Sequence, residues 1–162
     1  MDCRYQRKIF TTDITAAIAR LPRPLVFTNG CFDILHRGHI DYLDQARQLG
    51  SSLVVAINTD ASVKKQNKGS DRPINPLEDR MALLAALEAV DGVIAFDQPT
   101  PAQLITQLLP DILVKGGDWP VDKIVGADLV QGRGGKVVSI PFRFERSTSG
   151  LLKRIRNADS NS

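Results

Sequence analysis

Short apolar runs separated by stretches with helical spacing constrain this 162-residue chain more than any other feature. The runs are Leu25-Val26-Phe27-Thr28, Leu53-Val54-Val55-Ala56-Ile57, Val93-Ile94-Ala95-Phe96, Ile112-Leu113-Val114 and Val137-Val138-Ser139-Ile140. Consecutive side chains of a strand point to opposite faces, so a run that stays apolar belongs to a strand covered on both sides. Between the runs, apolar residues recur three and four apart: Ile14, Ala17, Ile18 and Leu21; Ile40, Leu43, Ala46 and Leu49; Met81, Leu84, Ala85 and Leu87; Leu104, Ile105 and Leu108. A last helix starts around Ser147 to Ser149 and carries Leu151, Leu152 and Ile155. Strands joined by helices run parallel, because a helix is what carries the chain back across the sheet. The pattern therefore predicts an α/β fold, a Rossmann-like doubly wound parallel sheet of about five strands.

Local signals set the expected boundaries. Thr11 or Thr12 caps the first helix and Pro22 and Pro24 end it. Gly50 closes the second. Asn75-Pro76-Leu77-Glu78 reads as a cap, a proline at N1 and an acid at N3, and Thr100-Pro101 repeats the start. Residues 59–75 are polar and read as a short helix followed by a loop. No repeat or linker breaks the chain, so one domain spans 1–162, with an N-terminal helix and lead-in over 1–24 and a disordered tail over 157–162.

Hydrophobic residues are 43% of the chain, enough for a core, and 24% are charged. Only Cys3 and Cys31 are present, which is neither a disulfide framework nor a zinc-finger spacing. Arg4, Arg7 and Lys8 precede no apolar core, so the N-terminus is not a signal peptide, and no apolar run is long enough to span a bilayer. These features place the protein in the cytoplasm, away from membranes. The net charge of +3 fits an anionic ligand. Lys and Arg are spread along the chain, and only Lys153, Arg154 and Arg156 cluster, which disfavours a nucleic-acid partner.

In a parallel sheet of this kind ligands bind beyond the C-terminal strand ends, at the point where the strand order reverses. That directs attention to segments 29–39, 58–72, 115–119 and 141–149. The first reads Asn29-Gly30-Cys31-Phe32-Asp33-Ile34-Leu35-His36-Arg37-Gly38-His39 and holds both histidines of the chain. At a helix start, residues three apart share a face, so His36 and His39 project together beside unpaired backbone N–H groups. Those groups and the helix dipole favour an anion, and Gly38 leaves room for a phosphate. Such a site suits phosphoryl-type transfer, where fixed donors stabilise charge that builds on phosphate oxygens. Ser147-Thr148 at the start of the last helix is a second phosphate-type site, and Lys115 follows a buried strand and precedes two glycines. No GxGxxG follows the first strand, which disfavours a dinucleotide dehydrogenase.

The 29–39 segment resembles the HxGH signature of the cytidylyltransferase-like nucleotidyltransferases. Together with Asn58-Thr59-Asp60-Ala61-Ser62-Val63-Lys64, Arg72-Pro73-Ile74-Asn75-Pro76-Leu77-Glu78-Asp79-Arg80, Val114-Lys115-Gly116-Gly117-Asp118 and Ser147-Thr148-Ser149, it is similar to the D-glycero-β-D-manno-heptose 1-phosphate adenylyltransferases, which make ADP-heptose for lipopolysaccharide core. The resemblance implies ATP and a sugar 1-phosphate as substrates, Mg²⁺ as the metal accompanying ATP, no metal ligands from the chain, and a dimer or higher homo-oligomer. It implies that His36 and His39 contact the triphosphate and stabilise the transition state. Lys68, or else Lys64, would reach the phosphates, and Asp33 would shape the place where phosphates and Mg²⁺ meet. Lys115, Gly117 and Asp118 would face the nucleotide and acceptor, Ser147 and Thr148 would offer hydroxyls and N–H groups, and Arg80 would reach in from the long helix. Asn29, Gly30, Phe32 and Gly38 complete the expected nucleotide and phosphate site. Many such enzymes are fused behind a sugar kinase; here a separate kinase is expected to supply the sugar phosphate. The alternatives are a sister transferase using another pair, such as CTP and glycerol 3-phosphate, and a non-catalytic nucleotide-binding module.

Overall fold

The computed structural model describes residues 3–66, 72–144 and 147–159. A 3-10 turn over Arg4–Lys8 leads into α1 (Ile14–Ala19), β1 (Leu25–Gly30), α2 (Arg37–Arg47), β2 (Ser52–Asn58), α3 (Asp60–Lys65), α4 (Leu77–Ala85), β3 (Gly92–Phe96), α5 (Ala102–Leu108) and β4 (Ile112–Gly116). A second 3-10 turn, Val121–Lys123, precedes α6 (Ala127–Gly132), β5 (Lys136–Ile140) and α7 (Thr148–Asp159). The five strands form one parallel sheet in the order β3-β2-β1-β4-β5.

The apolar runs are the sheet because both faces are covered. Val26 faces a core with Tyr42, Leu43 and Ala46 of α2 and Met81 and Leu84 of α4. Phe27 faces the opposite core, with Ile18 of α1, Ile105 and Leu108 of α5 and Val130 of α6. Strand order reverses at β1, which puts the switch point between β1 and β4. There the ladder is short. β1 pairs with β2 from Leu25 to Gly30, but with β4 only at Val26↔Ile112 and Phe27↔Leu113. Beyond that pairing both strands continue, to Gly30 and Gly116, and a crevice opens between their ends.

Several boundaries differ from the expected ones. The residue before α1 is Asp13, in the left-handed region at φ 45°, and not Thr11 or Thr12. Pro76 precedes α4 in the cap position, because the Asn75 side chain is drawn away to donate to the Asp33 carbonyl at 2.6 Å. The short helix expected at the start of 59–75 is α3, which Thr59 caps, its Oγ1 accepting from Ser62 N–H at 3.2 Å. The turn at 121–123 and α6 were not foreseen; both are short, and a helix of two turns leaves too few repeats to read. α7 extends to Asp159, so 157–159 are helical where a tail was expected, and 160–162 lie outside the described residues.

Candidate active site

His36 occupies the extended residue before α2, and the helix begins at Arg37. The His39 N–H donates to the His36 carbonyl at 2.9 Å, which turns the chain so tightly that the two imidazoles stack, centroids 3.8 Å apart and planes 17° from parallel. Phe32, buried and at φ 47°, packs its ring 5.2 Å from His39. Neither histidine Nδ1 finds a hydrogen-bond partner among the described residues, and both atoms are buried. Nε2 is therefore the nitrogen that each ring can present to a ligand. Burial lowers the pKa of His36, and burial followed by the charge of His36 lowers that of His39 to about 4. Both rings are neutral at physiological pH. Gly38 also has a packing part to play. A Cβ there would lie 3.1 Å from His36 Nδ1 and 3.5 Å from the Phe144 carbonyl, so the glycine makes room for the imidazole and a neighbouring segment.

A buried polar scaffold fixes this loop from behind. Asp33 is 2% exposed. Its carboxylate accepts from the Arg72 guanidinium and from the N–H groups of Ile74 and Asn75, both within 3.0 Å. Burial pushes its pKa up, but the N–H groups of Asn75 and Ile74, with Arg72, outweigh that and hold it below the ordinary carboxylate value. Asp33 thus organises the loop; its oxygens are occupied by the chain and are not turned to phosphate or Mg²⁺. Arg80, expected to contact the ligand, is fully buried and serves the same scaffold. Its Nη1 donates to the Cys31 carbonyl at 2.7 Å, Nε to the Asn75 carbonyl at 3.0 Å and Nη2 to Asp60 at 2.6 Å.

Two cavities meet in the crevice. One, of about 120 Å³, is lined by His39, Phe32, Tyr42, Gly116 and Phe142. The other, of about 280 Å³, is lined by Asn58, Gln66, Thr100, Trp119 and Lys123 among others. Asn29, Gly30, Cys31 and Lys115 line both, so the strand ends of β1 and β4 form the wall between them. Asn29, Gly30, Phe32, His39 and Lys115 are thus brought together as expected site residues, with His36 stacked behind His39.

α7 reaches the same end of the sheet. The Thr148 hydroxyl donates to the Ile34 carbonyl at 3.3 Å, which docks the helix start against the histidine loop. Ser147 Oγ accepts the Gly150 N–H at 3.0 Å and so caps α7. Each hydroxyl uses part of its hydrogen-bonding capacity within the chain, and the helix start beside them favours an anion. Gly117 lies at φ 103°, where its work is to make a turn and to accept the Trp119 ring, 3.2 Å from where its Cβ would stand. Asp118 is exposed on that turn and lines neither cavity. Lys64 is exposed on α3 and also lines neither. Lys68 lies outside the described residues.

Sequence reasoning did not name Gln66, Asn58, Trp119, Phe142 or Arg72 as site residues, although Asn58 and Arg72 stand in the motifs that carry the resemblance. Asn58 ends β2, and Trp119 and Phe142 come shortly after the ends of β4 and β5, which is a usable signal; Gln66 follows the short α3 and carries none.

The sequence pattern of the cytidylyltransferase-like family matches residues 27–147. The chain is 58% identical over 156 residues to a D-beta-D-heptose 1-phosphate adenylyltransferase of Bordetella bronchiseptica, covering 94% of this chain and 96% of that protein. It is 55% identical over 135 residues to the bifunctional protein HldE of Alcanivorax borkumensis, covering 83% of this chain but only 28% of that longer protein. Among solved structures, the lipopolysaccharide core biosynthesis protein from Thermoplasma volcanium superposes with a TM-score of 0.60 at 30% identity, over 75% of this chain and 98% of that one. Among the described residues no helix is long and apolar enough to cross a membrane.

Proposed function

The chain belongs to the cytidylyltransferase-like family, and on that premise we propose that it is an adenylyltransferase converting D-glycero-β-D-manno-heptose 1-phosphate and ATP to ADP-heptose and pyrophosphate, for lipopolysaccharide core. The observation that carries this reading is the stacked, neutral histidine pair, with His39 lining the smaller of two adjoining cavities, in a chain 58% identical to a heptose 1-phosphate adenylyltransferase.

Two substrates need two subsites that meet where the bond forms. The triphosphate lies on the histidine side, between the starts of α2 and α7, where helix dipoles and unpaired N–H groups favour its charge. The acceptor lies in the larger cavity. An oxygen of its phosphate attacks the α-phosphorus in line; the new P–O bond forms as the bond to the β-phosphate bridge breaks, and pyrophosphate leaves. The attacking phosphate is already ionised, so no base has to remove a proton. The imidazoles donate from Nε2 to phosphate oxygens whose charge grows in the transition state. Lys115, on the wall common to both cavities, is placed to balance charge on either substrate. Lys68 is a further phosphate contact in this proposal. Mg²⁺ travels with ATP. In this proposal the triphosphate supplies oxygens for the ion. The proposal includes a dimer or higher homo-oligomer, which light scattering tests.

The deciding measurement is pyrophosphate release with Mg²⁺, ATP and the heptose 1-phosphate, run beside CTP with glycerol 3-phosphate. Turnover with the first pair is expected. Turnover with another pair alone moves the protein to a sister transferase, and silence across the panel leaves a nucleotide-binding module.

A further inference from the structure

The 280 Å³ cavity has one wall that the reaction scheme does not use. Trp119 is half exposed, at 50%, yet its position is fixed. Its indole N–H donates to the Gly116 carbonyl at 3.1 Å, and its backbone N–H donates to Ser139 Oγ at 3.1 Å. The turn beneath it exists because Gly117 adopts φ 103° and has no Cβ to meet the ring. A large ring left half in solvent forgoes the burial that normally places tryptophan in a core, and holding it rigid adds an ordering cost. A fixed exposed aromatic at a cavity wall is the form a stacking platform takes.

The other walls indicate what would stack. Cys31 Sγ donates to Gln66 Oε1 at 3.3 Å, which orients that amide and leaves its Nε2 for a ligand oxygen. Thr100 and Lys123 line the same space, adding a hydroxyl and a cation. Amide, hydroxyl and cation beside an aromatic face match a polyol phosphate: hydroxyls to the polar groups, phosphate to the cations, and an apolar C–H face to the ring. His39 lines the other cavity, with His36 stacked against it, so the triphosphate has its own place.

Resting on the adenylyltransferase reading, we propose that Trp119 is the stacking platform for the sugar of the acceptor and a determinant of acceptor specificity, with Gln66 reading a sugar hydroxyl beside it.

Trp119 is the only tryptophan in the chain, so its emission reports on this wall alone. The protein is titrated with heptose 1-phosphate, alone and with a non-hydrolysable ATP analogue bound, and separately with ATP. The expected result is a saturable change in emission on adding the sugar phosphate and little change with ATP. An equal or larger response to ATP alone, or no response to the sugar phosphate in a protein that turns over, overturns the proposal. Trp119→Ala is expected to raise KM for the sugar phosphate roughly tenfold or more, with kcat and the KM for ATP little changed. Trp119→Phe, which keeps a ring without the indole N–H, is expected to restore most of that loss; a rise in the KM for ATP instead would place the ring in the nucleotide subsite. Emission reads binding and pyrophosphate reads turnover. A failure of the acceptor assignment is thus distinct from a failure of the enzymatic reading, which appears as no turnover with any pair.

Discussion

At His39, burial and the neighbouring His36 ring hold the imidazole pKa down to about 4, against an ordinary value of 6.5. Two consequences follow, one for rate and one for stability. A neutral ring donates one hydrogen bond from Nε2 without repelling its stacked partner, so replacing either histidine with alanine should slow turnover roughly 10²–10³-fold, the range for losing one transition-state donor. Unchanged single-turnover rates in both variants would remove that role. For stability, the unfolded chain binds a proton at this residue below pH 6.5 that the folded chain refuses until about pH 4. Stability therefore falls as pH drops through that window. Asp33 acts lower: its folded pKa lies below 3.8, so its contribution is intact above 3.8 and lost as pH falls beneath it. His39→Gln should shrink the loss between pH 6.5 and 4 and leave the loss below 3.8. Denaturation midpoints taken across both windows check this, and an unaltered slope above pH 4 would contradict it.

Among the elements, the connection from Arg72 to α4 does more than join a loop to a helix. Asp33 grips residues 72–75, and Arg80 on α4 reaches back to Cys31, Asn75 and Asp60. The histidine loop, the start of α3 and the start of α4 are thus one hydrogen-bonded unit. Arg80→Met should leave two carbonyls and the Asp60 carboxylate without their donor. Asp60 is 39% exposed, so water softens the penalty. A loss of about 2–3 kcal/mol is expected, at or below the low end for breaking a buried pair. For a chain of this length that corresponds to a fall in Tm of roughly 4–12 °C by calorimetry. A fall within error would mean that the guanidinium contributes nothing net.

At the scale of the whole molecule, β1 is the member on which both cores rest. Val26 and Phe27 are each fully buried, on opposite faces, and the same strand ends in Asn29 and Gly30 at the crevice. Phe27→Ala should cost about 3–5 kcal/mol, as other large-to-small changes in packed cores do. Urea unfolding would show it as a lower midpoint at an unchanged m-value. A loss under about 1 kcal/mol would mean that the α1–α5–α6 side collapses onto the gap.

The parallel α/β architecture was legible in the sequence because each strand is apolar on both faces and each long helix repeats its pattern over several turns. The histidine pair was legible as well, since i and i+3 on a helix start meet whatever surrounds them. Asn29, Gly30, Phe32 and Lys115 lie at or just past strand ends, where a parallel sheet gathers its C-terminal ends on one edge, and the family resemblance singled them out there. What pattern could not reach was decided by contacts between residues far apart in the chain. Arg80 and Asp33 looked like ligand contacts, since a charge near a site reads the same whether it faces a phosphate or a buried carbonyl. Only the packing of α4 against the histidine loop turned them inward. Ser147 and Thr148 marked a helix start correctly, but their hydroxyls went to Gly150 and Ile34. Trp119 and Gln66 entered the site because a positive-φ glycine turned one ring toward the crevice and the Cys31 thiol, just past β1, oriented one amide. Periodicity is local and survives in the one-dimensional sequence; the direction a polar side chain faces depends on which distant groups would otherwise remain unpaired, and that is settled only when the chain has folded.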